Sequence, residues 1–325
     1  MKNTTKTWLI AAAVMILTGI IILAGALMIN KWNLSSIGIF TRQDYHTVQH
    51  EITEDFDDIS IETDTADILF VLSLNGRCAV DCYETEKTPH SVSVEHGTLK
   101  ITSADYRKWY DHISFFNAGD PRITVYLPKA IYNELLISEH TGDVELPKEF
   151  TFNHIGIAAS TGDVECYASA RGSVEIALST GDIKVEDITA EKLALSVSTG
   201  HVRVSGAEVY GGFSVSVSTG DSDLEDVKCL YFESTGDTGR LNMKDMTARD
   251  TFNIRRSTGD VKLDDCDAAE LYITTDTGDV SGTLLTDKVF LTESDTGRID
   301  VPKTITGGRC EIKTDTGDIS FRVDK

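Results

Sequence analysis

The chain has 325 residues, with 52 Asp and Glu against 30 Lys and Arg, a formal net charge of −22, and 5 prolines beside 25 glycines. So acidic a balance argues against nucleic-acid binding, which needs basic patches, and against direct contact with anionic lipid headgroups. It suits solubility, divalent cations or cationic partners.

Residues 8–29 carry no charge and are almost wholly apolar. A helix of this length reaches across a bilayer core, which needs about 20 residues. Lys2 and Lys6 precede the segment and Lys31 follows it, which favours an N-terminus in the cytoplasm. The rival reading is a cleaved signal peptide with Ala24-Gly25-Ala26 as its small-residue site. Leu27, Met28 and Ile29 continue the apolar run beyond it, whereas a signal h-region usually ends after about 7–15 residues. The expectation is a single-pass anchor in the cell membrane: residues 1–30 form the cytoplasmic tail and transmembrane helix, 31–50 a stalk, and the rest a domain outside.

Beyond the stalk no helical period appears. Short stretches alternate apolar and polar residues, the pattern of strands with one buried face. Residues 105–120 interrupt this pattern with Tyr106, Trp109, Tyr110, Phe115 and Phe116 close together. Such a cluster is either a partner patch or a cover over the open end of a repeat stack.

From residue 128 to 325 the chain is regular. Thr-Gly, mostly followed by Asp, places its glycine at Gly142, Gly162, Gly181, Gly200, Gly220, Gly239, Gly259, Gly278, Gly297 and Gly317, in steps of 19 or 20 residues. A period of about 20 residues signals stacked repeats. Three apolar columns share the beat. They lie five residues before the glycine (Ile137, Ile157, Ile176 and onward), two after it (Val144, Val164, Ile183) and four after it (Leu146, Cys166, Val185). Each repeat therefore holds one strand entering Thr-Gly and one leaving it, with glycine at a sharp bend that favours positive φ. Like columns in every repeat predict an all-β fold, a parallel β-solenoid with two main sheets around a narrow core. The alternative is a two-sheet antiparallel β-sandwich of hairpins, although Thr-Gly is not the Asn-Gly type of tight hairpin turn. Stepping back by 19 puts Ile123, Ala104, Thr85 and Ala66 on the beat. Residues 51–127 then read as degenerate first rungs, about fourteen rungs in all by the same step.

Asp64-Thr65-Ala66-Asp67, Val125-Tyr126-Leu127-Pro128-Lys129 and the serial Ser/Asp-Thr-Gly-Asp occur together over residues 51–325. As a set they resemble the bacterial "putative adhesin" β-strand-repeat family, also known as a domain of unknown function. The resemblance implies an extracytoplasmic β-solenoid, often anchored by one helix and found beside envelope-stress or phage-shock-type regulators. It brings no catalytic residues.

After each corner glycine stands Asp143, Asp163, Asp182, His201, Asp221, Arg240, Asp260, Asp279, Arg298 or Asp318. Stacked aspartates about 4.8 Å apart repel by roughly 1 kcal/mol per pair in water. The basic residues relieve that repulsion, or the column holds weak divalent cations. The six cysteines read mostly as small core residues. The eight histidines are scattered, without His/Cys metal spacing, nucleophile elbow or phosphate loop. The reading is a non-catalytic module for binding, adhesion or envelope-stress sensing, with no metal or cofactor site. Its partner would be a membrane or envelope protein or a cell-wall polymer. The alternatives are an enzyme acting on cell-wall polysaccharide and a divalent-cation-binding surface protein.

Overall fold

Leu193, Leu195 and Val197 alternate with small polar residues and pack inward, as do Val202 and Val204 after the corner. In a computed structural model this pattern gives one complete rung: a strand at Lys192–Thr199, the corner at Gly200, and a strand at Val202–Val209. The structure describes residues 44–104, 106 and 120–324, with helical positions at 8, 12, 14–19, 21 and 25. Among the described residues no helix is long and apolar enough to cross a membrane. Most of the expected anchor and residues 31–43 of the expected stalk lie outside them.

The described chain divides into two compact units. The larger comprises Thr47–Glu84, His90–Ser103 and Pro121–Lys325. The smaller comprises Met1–His46, Thr85–Pro89 and Ala104–Asp120. In the smaller unit the Thr88 amide donates to the Thr85 carbonyl and the Tyr106 amide to that of Lys87.

The larger unit is a parallel β-solenoid. Thr161, Thr180, Thr199 and Thr219 lie in register in neighbouring rungs, and each corner amide donates to the next rung's threonine carbonyl, as Gly200 does to Thr219 at 3.0 Å. The antiparallel-sandwich alternative fails on this parallel register. Apolar burial drives the stack, and the columns predicted from the sequence are its core.

Two features depart from the expectation. Each middle rung has a third side as well as two main sheets. Six residues after the corner glycine the chain bends again at Asp187, Gly206, Asp226, Asp245 or Asp265, all at φ between 50 and 63°. Short segments follow that bury Ile188 and Ala190, or Ala207 and Val209.

The second departure is the rung order at both ends. Near the N-terminus the strands are β1 (His46–Ile52), β2 (Asp58–Thr65), β3 (Asp67–Leu72), β4 (Cys78–Glu84), β5 (His90–Glu95), β6 (Thr98–Ser103), β7 (Arg122–Leu127), β8 (Ile131–Thr141) and β9 (Val144–Leu146). The β2–β3 rung lies between β8–β9 on one side and β6–β7 on the other. Beyond it β4 pairs antiparallel with β7, and β5 with β6.

Ala66 is a true corner, its amide donating to Thr141. Thr85 is not: it sits in a turn with Thr88. Ile123 aligns with Ile68 and Val144, two positions past the corner, so the backward step of 19 slips by two there. The ten Thr-Gly rungs are preceded by β2–β3 and β6–β7, fewer levels than the expected fourteen. At the far end Gly308–Thr316 pairs with both Val261–Thr277 and Lys288–Thr296, so the Gly317 rung lies between those of Gly278 and Gly297.

Candidate functional site

Alternation sends every second residue of the long strands outward. Over five successive rungs one outward row reads Ser138, Ala158, Ala177, Ser196 and Ser216, which are in register along the sheet. The row beside it reads Leu136, Gly156, Glu175, Ala194 and Ser214, so that Leu136 and Glu175 stand up along one edge. Small side chains in parallel register leave a straight trough on this face, with openings of about 710 and 600 Å³. Glu62, Asp64 and His140 line the larger opening. Further along, the same outward row carries Thr235, Arg255 and Thr274, and the smooth floor ends there.

The corner column is a ladder rather than a row of free carboxylates. Asp143 Oδ1 accepts the Asp163 amide at 2.8 Å, Asp163 that of Asp182 at 2.8 Å, and Asp182 that of His201 at 2.9 Å. Asp221, Asp260, Asp279 and Asp318 cap the following amide in the same way. The His201 ring lies 3.8 Å from Asp182 and 3.7 Å from Asp221, and the Arg240 guanidinium lies 2.9 Å from Asp221. The Arg240 amide, with its guanidinium, holds the Asp221 carboxyl below the usual carboxylate range. Charge relief within the column is therefore built from the Arg240 guanidinium, with the His201 ring seated between Asp182 and Asp221.

Of the aromatic segment, Tyr106 is described and exposed; Trp109, Tyr110, Phe115 and Phe116 lie outside the described residues. The ten repeat glycines all stand at corners. Nine of them have φ between 132 and 155°; Gly297, in the terminal rung, is not among the positive-φ residues.

Two interior polar groups were not legible in the sequence. Three residues before the corner, Glu139 and Arg256 point into the core, 5% and 3% exposed. Each fills space beside a glycine. A Cβ at Gly142 would meet Glu139 Oε1 at 2.2 Å, and one at Gly236 would meet Arg256 Nη1 at 1.7 Å. Arg256 Nη2 donates to Ser234 Oγ at 2.9 Å, while Nε and Nη1 make no hydrogen bond. Burial pulls the guanidinium down to about 10 and pushes the Glu139 carboxyl up to about 8.

At the N-terminal end the strands also gather Cys82, Glu84 and His90, all buried. The Cys82 thiol is fully enclosed and pushed up to about 12 by burial, with the Glu84 and Asp81 charges adding to it. A protonated, enclosed thiol is a poor nucleophile. All six cysteines are buried and unbridged, consistent with core residues.

A three-sided parallel stack with Thr-Gly-Asp corners defines a class of repeat-built β-solenoid proteins. Within it, the chain belongs to the Toastrack DUF4097 family, whose model matches residues 56–213 and 208–325. Among solved structures it is similar to a "putative adhesin" from Parabacteroides distasonis, at 12% identity over 86% of this chain and 99% of that one, with a TM-score of 0.48. A "putative lipid binding protein" from the same organism has 18% identity, coverage of 86% and 98%, and a TM-score of 0.47. A "putative adhesin" from Bacteroides fragilis has 12% identity, coverage of 86% and 99%, and a TM-score of 0.41. No curated protein is matched.

Proposed function

We propose that the chain is a non-catalytic binding module of the bacterial cell envelope, whose trough lies along a neutral glycan strand of the cell wall. The trough itself carries the reading: its floor row of Ser and Ala over five rungs, flanked by Leu136 and Glu175, accepts an extended polymer, and its hydroxyls offer hydrogen bonds along the run. The net charge of −22 disfavours anionic wall polymers. In this reading the apolar stretch 8–29 anchors the chain in the membrane with the β-stack outside.

Co-sedimentation with purified peptidoglycan tests the binding. Ala177→Trp and Ser196→Trp fill the trough on its exposed side and are expected to abolish pelleting while leaving the circular dichroism spectrum unchanged. Equal pelleting of both variants and the wild type, or none by any of them, overturns the reading. Alkaline extraction of membranes and protease protection of spheroplasts test the anchor. Release into the supernatant, or a β-stack shielded from external protease, removes it.

A further inference from the structure

We propose that Cys82, Glu84 and His90 bind one Zn²⁺ ion, or a divalent cation of similar borderline softness, inside the N-terminal end of the stack. Cys82 and Glu84 stand two residues apart on β4 and so face the same side. His90 opens β5. One ligand atom from each of the three residues lies within 4.8 Å of the others. Their exposures are 0, 4 and 8%. Glu84 Oε2 sits 2.8 Å from His90 Nδ1 and accepts the His90 amide at 2.6 Å. On the far side of the ring, Nε2 lies 3.4 Å from Thr63 Oγ1.

The donor set decides the class of ion. Sulfur, imidazole nitrogen and carboxylate oxygen together select Zn²⁺ and its neighbours over Ca²⁺ and Mg²⁺, which take oxygen. Tetrahedral Zn²⁺ with bonds of about 2.0–2.3 Å brings its ligand atoms to within roughly 3.3–3.8 Å of one another. The three groups reach that spacing by small side-chain shifts. Three protein ligands leave a fourth position for a water, while Thr63 Oγ1, at the far ring nitrogen, orients the imidazole. Charge also balances: a thiolate, a carboxylate and a neutral imidazole cancel the two positive charges, so the loaded site buries no net charge. In the next rung Glu139, also buried, is in register with Thr63. A bound ion would clamp β4 to β5 over the last levels of the stack.

The bland alternative is a buried Glu84–His90 ion pair without metal. The full-length chain in detergent, reduced and stripped of metal, separates the two on titration with Co²⁺. The expected result is a sulfur-to-cobalt charge-transfer band that saturates at one equivalent and is displaced by Zn²⁺, with Tm raised by Zn²⁺ but not by Mg²⁺. Cys82→Ser and His90→Gln should each weaken Co²⁺ binding by about 10–100-fold or more, while Cys78→Ser leaves it intact. Absence of the band, its persistence in Cys82→Ser, or a Tm indifferent to Zn²⁺ overturns the site. Native mass spectrometry of the wild-type chain answers without any variant: one bound zinc supports the site, and none after incubation with Zn²⁺ refutes it.

Discussion

Changing Gly200 to alanine tests whether the corner glycine serves the bend or the stacking. Gly200 has φ +149°, a region in which a residue with a side chain costs about 1–3 kcal/mol. The added Cβ would also lie 1.9 Å from the Gly181 carbonyl oxygen and 2.7 Å from its carbon, where about 3.5 Å is ordinary contact. The atom in the way is backbone of the preceding rung and cannot rotate aside. Relief requires the two rungs to part, which breaks the corner bond from Gly181 to Thr199, 3.1 Å long. With about 0.5–1.5 kcal/mol for that bond added to the backbone strain, the expected total is roughly 2–4 kcal/mol. Gly76 supplies the control: its φ is +71°, yet a Cβ there meets nothing within 4 Å, so Gly76→Ala should cost about 1–2 kcal/mol. Urea unfolding followed by far-UV circular dichroism measures both. A stack held by nearest-neighbour contacts should also show the Gly200 variant unfolding in two steps, one on each side of the damaged corner. Equal costs at Gly76 and Gly200, or a loss below about 1 kcal/mol at Gly200, refute the stacking argument.

Arg256→Met removes a buried guanidinium whose lowered pKa, about 10 against 12.5, corresponds to roughly 3 kcal/mol of charging cost. Loss of the Ser234 bond returns about 1 kcal/mol, so differential scanning calorimetry should show Tm raised by a few degrees; a lowered Tm would mean the charge is compensated. Glu139 keeps its proton in the folded chain up to about pH 8, while the unfolded chain releases it near 4.5, so stability should fall as pH rises between these values. Neither carboxyl oxygen makes a hydrogen bond of good geometry, and the neighbouring Ala66 amide is committed to Thr141. Glu139→Gln should remove that part of the slope in a pH series of Tm values; an unchanged slope counts against the buried acid. Millimolar Ca²⁺ should leave Tm unchanged, because each corner carboxylate already gives one oxygen to an amide and Ca²⁺ needs 6–8 oxygens. A rise of several degrees would restore the cation reading of the column.

The architecture was legible wherever a column was uniform. Ile137, Ile157, Ile176 and Leu195, read as one inward column, are all buried. The column three before the glycine was not legible, because it mixes Glu139, Ala159, Leu178, Gly236 and Arg256. Arg256 is enclosed beside Gly236 of an adjoining rung, a relation that no single repeat displays, and Glu139 beside its own corner Gly142, whose glycine the bend alone accounts for. Ser222 and Ser234 interrupt two mainly apolar columns and are fully buried; Ser234 does so as the partner of Arg256. The second bend left a trace, an Asp or Gly six residues after the corner from Asp187 to Asp265, but its period coincides with that of the louder Thr-Gly-Asp. Similar rungs carry no record of which neighbour each will choose, so the reordering at the ends was invisible. Cys82, Glu84 and His90 meet only because β4 and β5 fold back over those ends. The trough is written plainly as Ser and Ala between apolar residues, a pattern that the sequence reading used for strand alternation and not for the face it leaves outside.

The out-of-order rungs bear on how such a chain can change in length. In the middle of the stack, from Gly162 to Gly259, every rung follows its predecessor, and a duplicated block of 19 or 20 residues would slide in without disturbing any partner. At the C-terminal end, removing the Gly317 rung would separate the Gly278 and Gly297 rungs that it lies between. At the other end β2–β3 is held in the same way between β6–β7 and β8–β9. The two ends thus behave as indivisible fittings, and the interior as a ruler whose length selection can adjust one division at a time.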